Sequence, residues 1–228
     1  MPETLASRLA AVHDRIADAC ARASRDPSEV TLVAVTKTHP LGALEEALEA
    51  GVTDLGENRV SEFVDKADAL GDRATWHFIG SLQRNKARDV ARHADLFHAL
   101  DSDRLAKELN KRARGEGRVL PCLVQINISG EGSKHGVAPE ASGEFLDRLG
   151  AFRHLDVRGL MGMAAPAAPE DHGRVVRPAF ARLREIAEGR RWGGGPLLSM
   201  GMSGDYETAV EEGATHVRIG SALFGARE

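Results

Sequence analysis

The feature that most constrains the fold of this 228-residue chain is an alternation of strand-like and helix-like segments along nearly its whole length. The first strand-like segment, residues 30–35, is almost wholly apolar and β-branched, which is typical of a parallel strand covered on both faces. In all, strands are predicted at residues 30–35, 52–55, 75–79, 96–100, 120–128, 157–161, 197–200 and 216–219. Strands that alternate with helices at this spacing form right-handed βαβ units and a parallel sheet.

Helices are predicted between these strands and also before the first one. An apolar stripe at helical spacing predicts a leading helix that ends near residue 26. The stripe consists of Leu5, Leu9, Val12 and Ile16. The other helices are predicted at residues 41–48, 60–67, 82–92, 105–113, 139–149, 177–187 and 205–212.

The number of strands separates two possible architectures, a closed barrel and an open doubly wound sheet. Eight strand–helix units fit the barrel better, and α/β barrels typically need about 250 residues. The dinucleotide-binding form of the open sheet carries a G-x-G-x-x-G motif after its first strand, whereas residues 36–40 of this chain read TKTHP. We therefore predict an α/β fold, a single (β/α)8 TIM barrel with an extra N-terminal helix, forming one domain over residues 1–228.

The charge balance argues against a protein that binds nucleic acid without regard to sequence. The chain has 30 Lys and Arg against 34 Asp and Glu, a formal net charge of -4, and phosphate backbones attract basic proteins. The most basic stretch, residues 84–93, is interrupted by Asp89 and contains no aromatic residue. It is therefore interpreted as a solvated helix face.

The cysteines and the N-terminal residues bear on the compartment. Cys20 and Cys122 are far apart, without the paired spacing of metal or redox sites, and both are predicted to be buried. Residues 1–10 contain Glu3 and Arg8 and lack an apolar leader core, and no later run reaches the ~18 apolar residues of a spanning helix. We expect a protein of the reducing cytoplasm that does not enter a membrane.

Small residues follow the last two predicted strands, at the end of the barrel where active sites form. Ser203, Gly220 and Ser221 could offer backbone N–H groups and hydroxyls to a phosphate group. Alternatively, the serines only cap helices. Asp205 and Glu207 count against an anion site unless their side chains point outward.

Lys37 follows the first predicted strand and has two interpretations. Its stem could lie over the barrel rim with the ammonium in water, or the amine could be desolvated and attack a carbonyl group. Burial in a barrel mouth would favour the neutral amine that imine formation requires. Lys86 and Lys134 lie deeper in loops or helices, and Lys66 is predicted on a solvated helix face.

Arg218 is predicted to point into the barrel, because the period of two in the last strand sends Val217 and Ile219 outward. A buried charge needs a partner. That partner is either a core carboxylate such as Glu57 or the ring nitrogen of a bound cofactor.

Several sequence blocks, taken together, resemble the pyridoxal phosphate homeostasis proteins. They are residues 33–37 (VAVTK), 56–60 (GENRV), 76–80 (WHFIG), 82–86 (LQRNK), 125–129 (QINIS) with 133–134 following, 158–161 (RGLM), and 198–203 with 217–225. The resemblance extends from the first strand almost to the C-terminus. That family is similar to the barrel domain of the fold-type III enzymes, of which alanine racemase is the best known.

The resemblance implies pyridoxal 5'-phosphate (PLP) as the cofactor, carried as a Schiff base on Lys37. In the family's pattern the phosphate is held by small residues, an arginine faces the pyridine nitrogen, and two further residues lie near the ring. The matching positions here are Ser203, Gly220 and Ser221 for the phosphate, Arg218 for the nitrogen, and Asn58 and His77 near the ring.

The arginine helps to separate a cofactor carrier from a catalyst. A guanidinium only donates hydrogen bonds, so a ring nitrogen facing Arg218 stays unprotonated and the cofactor is a poor electron sink. A racemase would also need a second proton carrier. In the resembled racemase this is a tyrosine from an additional domain, whereas the only tyrosine here is Tyr206, within a predicted helix.

The predicted function is reversible PLP binding that serves intracellular PLP homeostasis, with little or no turnover, so the protein is not expected to be an enzyme. PLP-dependent apoenzymes are candidate partners, and a monomer is expected because the chain offers no second domain. One alternative is a PLP-dependent amino-acid racemase or lyase that uses His77 or Tyr206 as proton carrier. Another is a barrel aldolase in which Lys37 forms its imine with a sugar phosphate.

Overall fold

The computed structural model describes residues 4–130 and 135–225, and in this part the β-strands form a closed parallel barrel. The strands are β1 (Thr31–Val35), β2 (Asp54–Glu57), β3 (Thr75–Phe78), β4 (Leu96–Leu100), β5 (Leu120–Ile126), β6 (Leu155–Gly162), β7 (Leu197–Met202) and β8 (His216–Ile219). They follow one another around the barrel in chain order, and β8 pairs with β1 to close it. The predicted (β/α)8 barrel is confirmed.

Helices precede β1 and follow each strand in the described part of the chain. They are α1 (Leu5–Arg22), α2 (Leu41–Glu49), α3 (Val60–Leu70), α4 (Ala87–His93), α5 (Asp103–Gly115), α6 (Ser142–Leu149), α7 (Val176–Glu188), α8 (Tyr206–Glu211) and α9 (Ser221–Phe224). The one-turn helix α9 was not predicted. None of the described helices is long and apolar enough to cross a membrane.

The extra N-terminal helix is α1, and its predicted apolar stripe is buried. Thr4 caps the helix by accepting a hydrogen bond from the Ser7 N–H at 3.1 Å. The polar face of α1 pairs with α8, since Arg15 forms an ion pair with Glu207 and Arg22 forms one with Glu211. The helix ends at Arg22, earlier than predicted, and Glu207 points outward to α1.

The strand bounds are set by the neighbouring strands. Strand β2 begins at Asp54 instead of residue 52, because Asp54 is the partner of Val33 in β1. Strand β6 begins at Leu155, opposite Leu120 of β5, and is longer than predicted. The segment after β3 starts with a 3-10 turn, Arg84–Lys86, before α4.

Successive side chains of each strand alternate between the barrel interior and the surrounding helices. In β8, Val217 and Ile219 are buried in the hydrophobic core, and Arg218 bonds to residues of β6 and β7 across the barrel. The predicted orientation of Arg218 is confirmed. Cys20 and Cys122 are free and buried as expected, and burial raises the pKa of both thiols.

Candidate functional site

A cavity of about 570 Å³ opens at the carboxyl ends of the strands. Six of the seven residues predicted to bind the cofactor line it: Lys37, Asn58, Ser203, Arg218, Gly220 and Ser221. They come from the loops after β1, β2, β7 and β8, from β8 itself and from the first residue of α9. Barrel enzymes place their active sites at this same end.

Lys37 lies two residues beyond β1, and its half-buried side chain lines the cavity. Among the described residues, nothing forms a hydrogen bond or ion pair with its amine. The two rival lysines that the structure describes are placed differently: Lys86 is exposed and does not line the cavity, and Lys66 is buried outside it. Lys134 lies outside the described residues.

The backbone around Lys37 is fixed by buried polar groups on the helix side of the barrel wall. The Thr36 hydroxyl donates to Glu57 Oε1 at 2.7 Å, and Lys66 Nζ donates to the Thr36 carbonyl oxygen at 2.8 Å. On the other side of Lys37, the Thr38 N–H donates to Glu62 Oε2 at 2.7 Å and thereby lowers the pKa of Glu62. Thr38 also has a positive φ of 67°.

The predicted solvation of Lys66 was wrong. Its side chain is 10% exposed and is held by Glu57, which is itself fully buried. Position 66 follows Phe63 by three residues, so it lies on the buried stripe of α3 despite its charge. The same contact shows that Glu57 is not the partner of Arg218, because Glu57 faces α3 and not the barrel interior.

Arg218 is buried, and its guanidinium faces the cavity from below. It donates to Ser199 Oγ at 2.6 Å and to the Gly162 carbonyl oxygen at 3.1 Å. Among the described residues, no carboxylate lies within ion-pair distance of it. Burial lowers the pKa of Arg218 to about 10, so the group remains protonated at neutral pH.

The sequence left open that Ser203 only caps a helix. Ser203 does not cap α8, because Asp205 occupies the N-cap position. Instead Ser203 Oγ accepts hydrogen bonds from the N–H groups of Gly220 at 3.2 Å and Ala222 at 3.3 Å. Ser203, Gly220 and Ser221 form a small cup at the cavity wall, in which the Ser203 hydroxyl proton and the Ser221 N–H and hydroxyl are available to a ligand. Since α8 and α9 are only six and four residues long, hydrogen bonds rather than a helix dipole would hold an anion here.

Asn58 is held close to the backbone of the next loop. A Cβ atom at Gly80 would lie 2.3 Å from the Asn58 carbonyl oxygen, so only glycine fits at position 80. The side-chain oxygen of Asn58 is buried without a hydrogen-bond partner among the described residues. A buried polar atom of this kind is normally satisfied, which indicates a missing partner at this wall of the cavity.

His77 does not lie beside the cavity, contrary to expectation. It points into the barrel, but deeper, where its Nε2 is 2.8 Å from Asp54 Oδ1 and its Nδ1 is 2.9 Å from His98 Nε2. The period of two gives the direction of a strand side chain but not its depth along the barrel axis. Tyr206, the other suggested proton carrier, is also buried away from the cavity.

Other residues of the cavity were not predicted. His39, stacked on Phe224 with ring centroids 4.5 Å apart, lines one wall, and Gln125 and His135 line another. Ser199, which receives the Arg218 hydrogen bond, was also missed. Ser199 lies in β7, four residues before Ser203, and this position is the sequence signal that could have identified it.

Comparison with known proteins shows the family of the chain. The family model for the alanine racemase N-terminal domain matches residues 8–228. A pyridoxal phosphate homeostasis protein of Pseudomonas aeruginosa is 42% identical over 226 residues, covering 99% of this chain and 96% of the relative. The chain belongs to the pyridoxal phosphate homeostasis protein family. A member from Escherichia coli K12 is 41% identical over 232 residues, with 98% and 97% coverage.

Solved structures place this member of the pyridoxal phosphate homeostasis family among similar barrels. PipY of Synechococcus elongatus PCC7942, with PLP bound, is 35% identical, has a TM-score of 0.81, and is matched over 97% of this chain and 100% of that one. Alanine racemase of Clostridium difficile 630 is 14% identical with a TM-score of 0.69. It is matched over 94% of this chain and 56% of that one, and it shows only that the barrel fold is shared.

Proposed function

We propose that this protein binds PLP reversibly as a Schiff base on Lys37 and serves as a carrier of the cofactor. One observation carries the proposal: one cavity is lined by three groups, namely an amine and a guanidinium that have no carboxylate partner in the described part of the chain, and the cup of Ser203, Gly220 and Ser221. PLP has an aldehyde, a phosphate and a ring nitrogen that match these three groups. The PLP-bound relative and the names of the curated relatives support the same ligand.

Gly220 of the cup and Gly204, which follows Ser203, provide a test of fit. A Cβ atom at Gly220 would make only ordinary contacts, 3.6 Å from Val35, and one at Gly204 would meet nothing within 4 Å. The packing of the protein itself therefore does not require glycine at either position. Both glycines line the cavity, so the space that they leave suits a ligand.

Each residue has a role that follows from its chemistry. The Lys37 amine would condense with the aldehyde, forming a carbon–nitrogen double bond and releasing water. Ser221 would donate to the phosphate with its N–H and hydroxyl, and Ser203, whose oxygen accepts from the Gly220 N–H, would donate its hydroxyl proton, while Gly220 leaves room for the phosphate. Arg218 can only donate, so it would keep the ring nitrogen unprotonated and suppress carbanion chemistry.

We further propose that the protein carries PLP with little or no turnover, as a cytoplasmic monomer whose cofactor is available to PLP-dependent apoenzymes. In support, neither of the proton carriers suggested by the sequence, His77 and Tyr206, lines the cavity. Two histidines, His39 and His135, do line it. For a carrier, deuterium exchange at the α-carbon of added L-amino acids should be at most slow; fast exchange would contradict the carrier and would point to His39 or His135 as the proton carrier.

The attachment site is tested by reduction and mass spectrometry. The protein is incubated with PLP, its visible absorption is recorded, and borohydride reduction is followed by digestion. The added mass should lie on the peptide that contains Lys37, and Lys37→Ala should lose the visible band. Lys86→Ala, an exposed lysine outside the cavity, is the matched control and should retain it. An unchanged band in Lys37→Ala would refute the assignment.

A further inference from the structure

A row of hydrogen-bonded side chains runs through the barrel interior beneath the cavity. It begins at the Arg218 guanidinium, 2.6 Å from Ser199 Oγ, and continues from Ser199 Oγ to His98 Nδ1 at 2.8 Å. His98 Nε2 is 2.9 Å from His77 Nδ1, and His77 Nε2 is 2.8 Å from Asp54 Oδ1. The five residues come from β8, β7, β4, β3 and β2, so the row crosses the whole interior.

The directions of the hydrogen bonds in the row follow from the Asp54 end. The Asp54 carboxylate only accepts, so His77 donates to it from Nε2. With both rings neutral, His77 Nδ1 accepts from His98 Nε2, and His98 Nδ1 accepts the Ser199 proton. Ser199 Oγ in turn accepts from Arg218, which can only donate. We assign both histidines as Nε2–H tautomers on this basis.

The surroundings keep the row in this state. The third histidine of the interior, His216, packs with its ring centroid 5.9 Å from His77 and 6.2 Å from His98. Burial lowers the pKa of His98 well below its usual value, and the charge of Arg218 lowers it further. Asp54 is the one carboxylate of the row, and its side chain is 17% exposed.

The row cannot conduct protons, because its first member does not give one up under ordinary conditions. The described residues also contain no cluster that could hold a metal ion. What remains is an orienting role. While His98 accepts the Ser199 proton, the oxygen of Ser199 is free to accept from Arg218, and the guanidinium is held in one plane.

We propose that His98 is a positioning residue that fixes the Arg218 guanidinium toward the cavity through Ser199. The proposal rests on the proposed function for the identity of the ligand, since a fixed donor would present one constant N–H to the ring nitrogen of PLP. It concerns the chain's own residues, however, and can be tested without PLP.

The first experiment uses nitrogen-15 NMR on the cofactor-free protein. In histidine-labelled protein, His77 and His98 should both show protonated Nε2 and unprotonated Nδ1. In arginine-labelled protein, Arg218, assigned by its loss in Arg218→Met, should show slow rotation of its guanidinium. The opposite tautomer at His98 would overturn the proposal, whether or not the protein binds PLP.

The second experiment breaks the row at two points and compares the rate of guanidinium rotation. Ser199→Ala and His98→Leu should each speed rotation about tenfold or more, the effect of losing one hydrogen bond to a charged group. His98→Gln, which can accept from Ser199 and donate to His77, should remain near the wild-type rate. The double variant should rotate no faster than Ser199→Ala alone, because the row is already broken.

Two results would overturn the proposal in this series. One is wild-type rotation in a folded His98→Leu protein, and the other is a double variant whose effects add. If His98→Leu does not fold, Ser199→Ala and His98→Gln decide the matter, since rotation that is unchanged in the first or equally fast in the second contradicts the row. In PLP-loaded protein, Ser199→Ala should also release PLP several-fold faster than wild type.

Discussion

The ammonium of Lys66 lies 2.5 Å from Glu57 Oε1, and both side chains are buried between α3 and the barrel wall. The same ammonium donates to the carbonyl oxygen of Thr36, the residue before Lys37. The remaining carboxylate oxygen of Glu57 has no partner among the described residues. This ion pair thus joins α3 and β2 to the end of β1, next to Lys37.

Removing one member of this pair should be costly. We expect Lys66→Met to lower the free energy of unfolding by about 3–5 kcal/mol, because it leaves a buried carboxylate without its cation. Replacing both members, with Lys66→Met and Glu57→Met together, should recover much of the loss. Urea unfolding measures both, and Lys107→Met, at an exposed helix position, is the control. A single variant as stable as wild type would contradict the arrangement.

The two kinds of glycine in the site region should respond differently to alanine. Gly220→Ala should change the free energy of unfolding by less than about 1 kcal/mol, since the fold leaves room for the methyl group. It should nevertheless weaken PLP binding about tenfold or more by disturbing hydrogen bonds to the phosphate. Thermal unfolding and a titration followed by absorption give the two quantities.

Gly201→Ala is the matched contrast to Gly220→Ala. Gly201 has a φ of 90°, and a Cβ atom there would lie 2.6 Å from Ala209 Cβ. Backbone strain and overpacking should each cost about 1–3 kcal/mol of folding free energy. Equal stability of the two variants would show that the cup glycine is also required by the fold.

The charge at position 218 should control the chemistry of bound PLP. In Arg218→Glu, a carboxylate facing the ring nitrogen would favour its protonation and make the cofactor a better electron sink. Exchange of the α-proton of L-amino acids, followed by NMR in deuterium oxide, should rise about tenfold or more. Arg84→Glu, an exposed arginine outside the cavity, should leave exchange unchanged. No increase in a PLP-loaded Arg218→Glu protein would contradict the role given to Arg218.

Acid should destabilise the cofactor-free protein before most carboxylates titrate. Burial lowers the pKa of His216 to about 4, and burial also lowers that of His98. Below about pH 6.5 the unfolded chain therefore binds protons that the buried rings of the folded protein do not bind, and the free energy of unfolding falls as the pH drops. For His216 the loss approaches about 3 kcal/mol by pH 4.

Asp54 contributes to stability over a different, more acid range of pH. Burial raises it, but hydrogen bonds from His77 and Thr53 outweigh that effect and leave it below its usual value, so its contribution is lost only in stronger acid. Urea unfolding between pH 7 and pH 5 isolates the histidines. His98→Gln, which removes one titrating ring, should flatten the slope, and an unchanged slope would contradict the assignment.

The order of the elements and the residues at the strand ends could be predicted, because both follow from periodicity within the chain. Arg218 illustrates this, since alternation in β8 fixed its direction. The depth of His77 could not be predicted, because it depends on the registers of the neighbouring strands. Lys66 was misplaced for a different reason: its charge outweighed its position on the stripe of Phe63, and its partner Glu57 is a tertiary contact.

The pairing of β1 with β8 means that Lys37 and the Gly220–Ser221 cup become neighbours only when the last strand joins the first. A nascent chain on the ribosome would therefore expose the Lys37 amine long before the phosphate site has formed. Stable retention of PLP would then require that the barrel has closed. Bound PLP would thus serve as an indicator of completed folding.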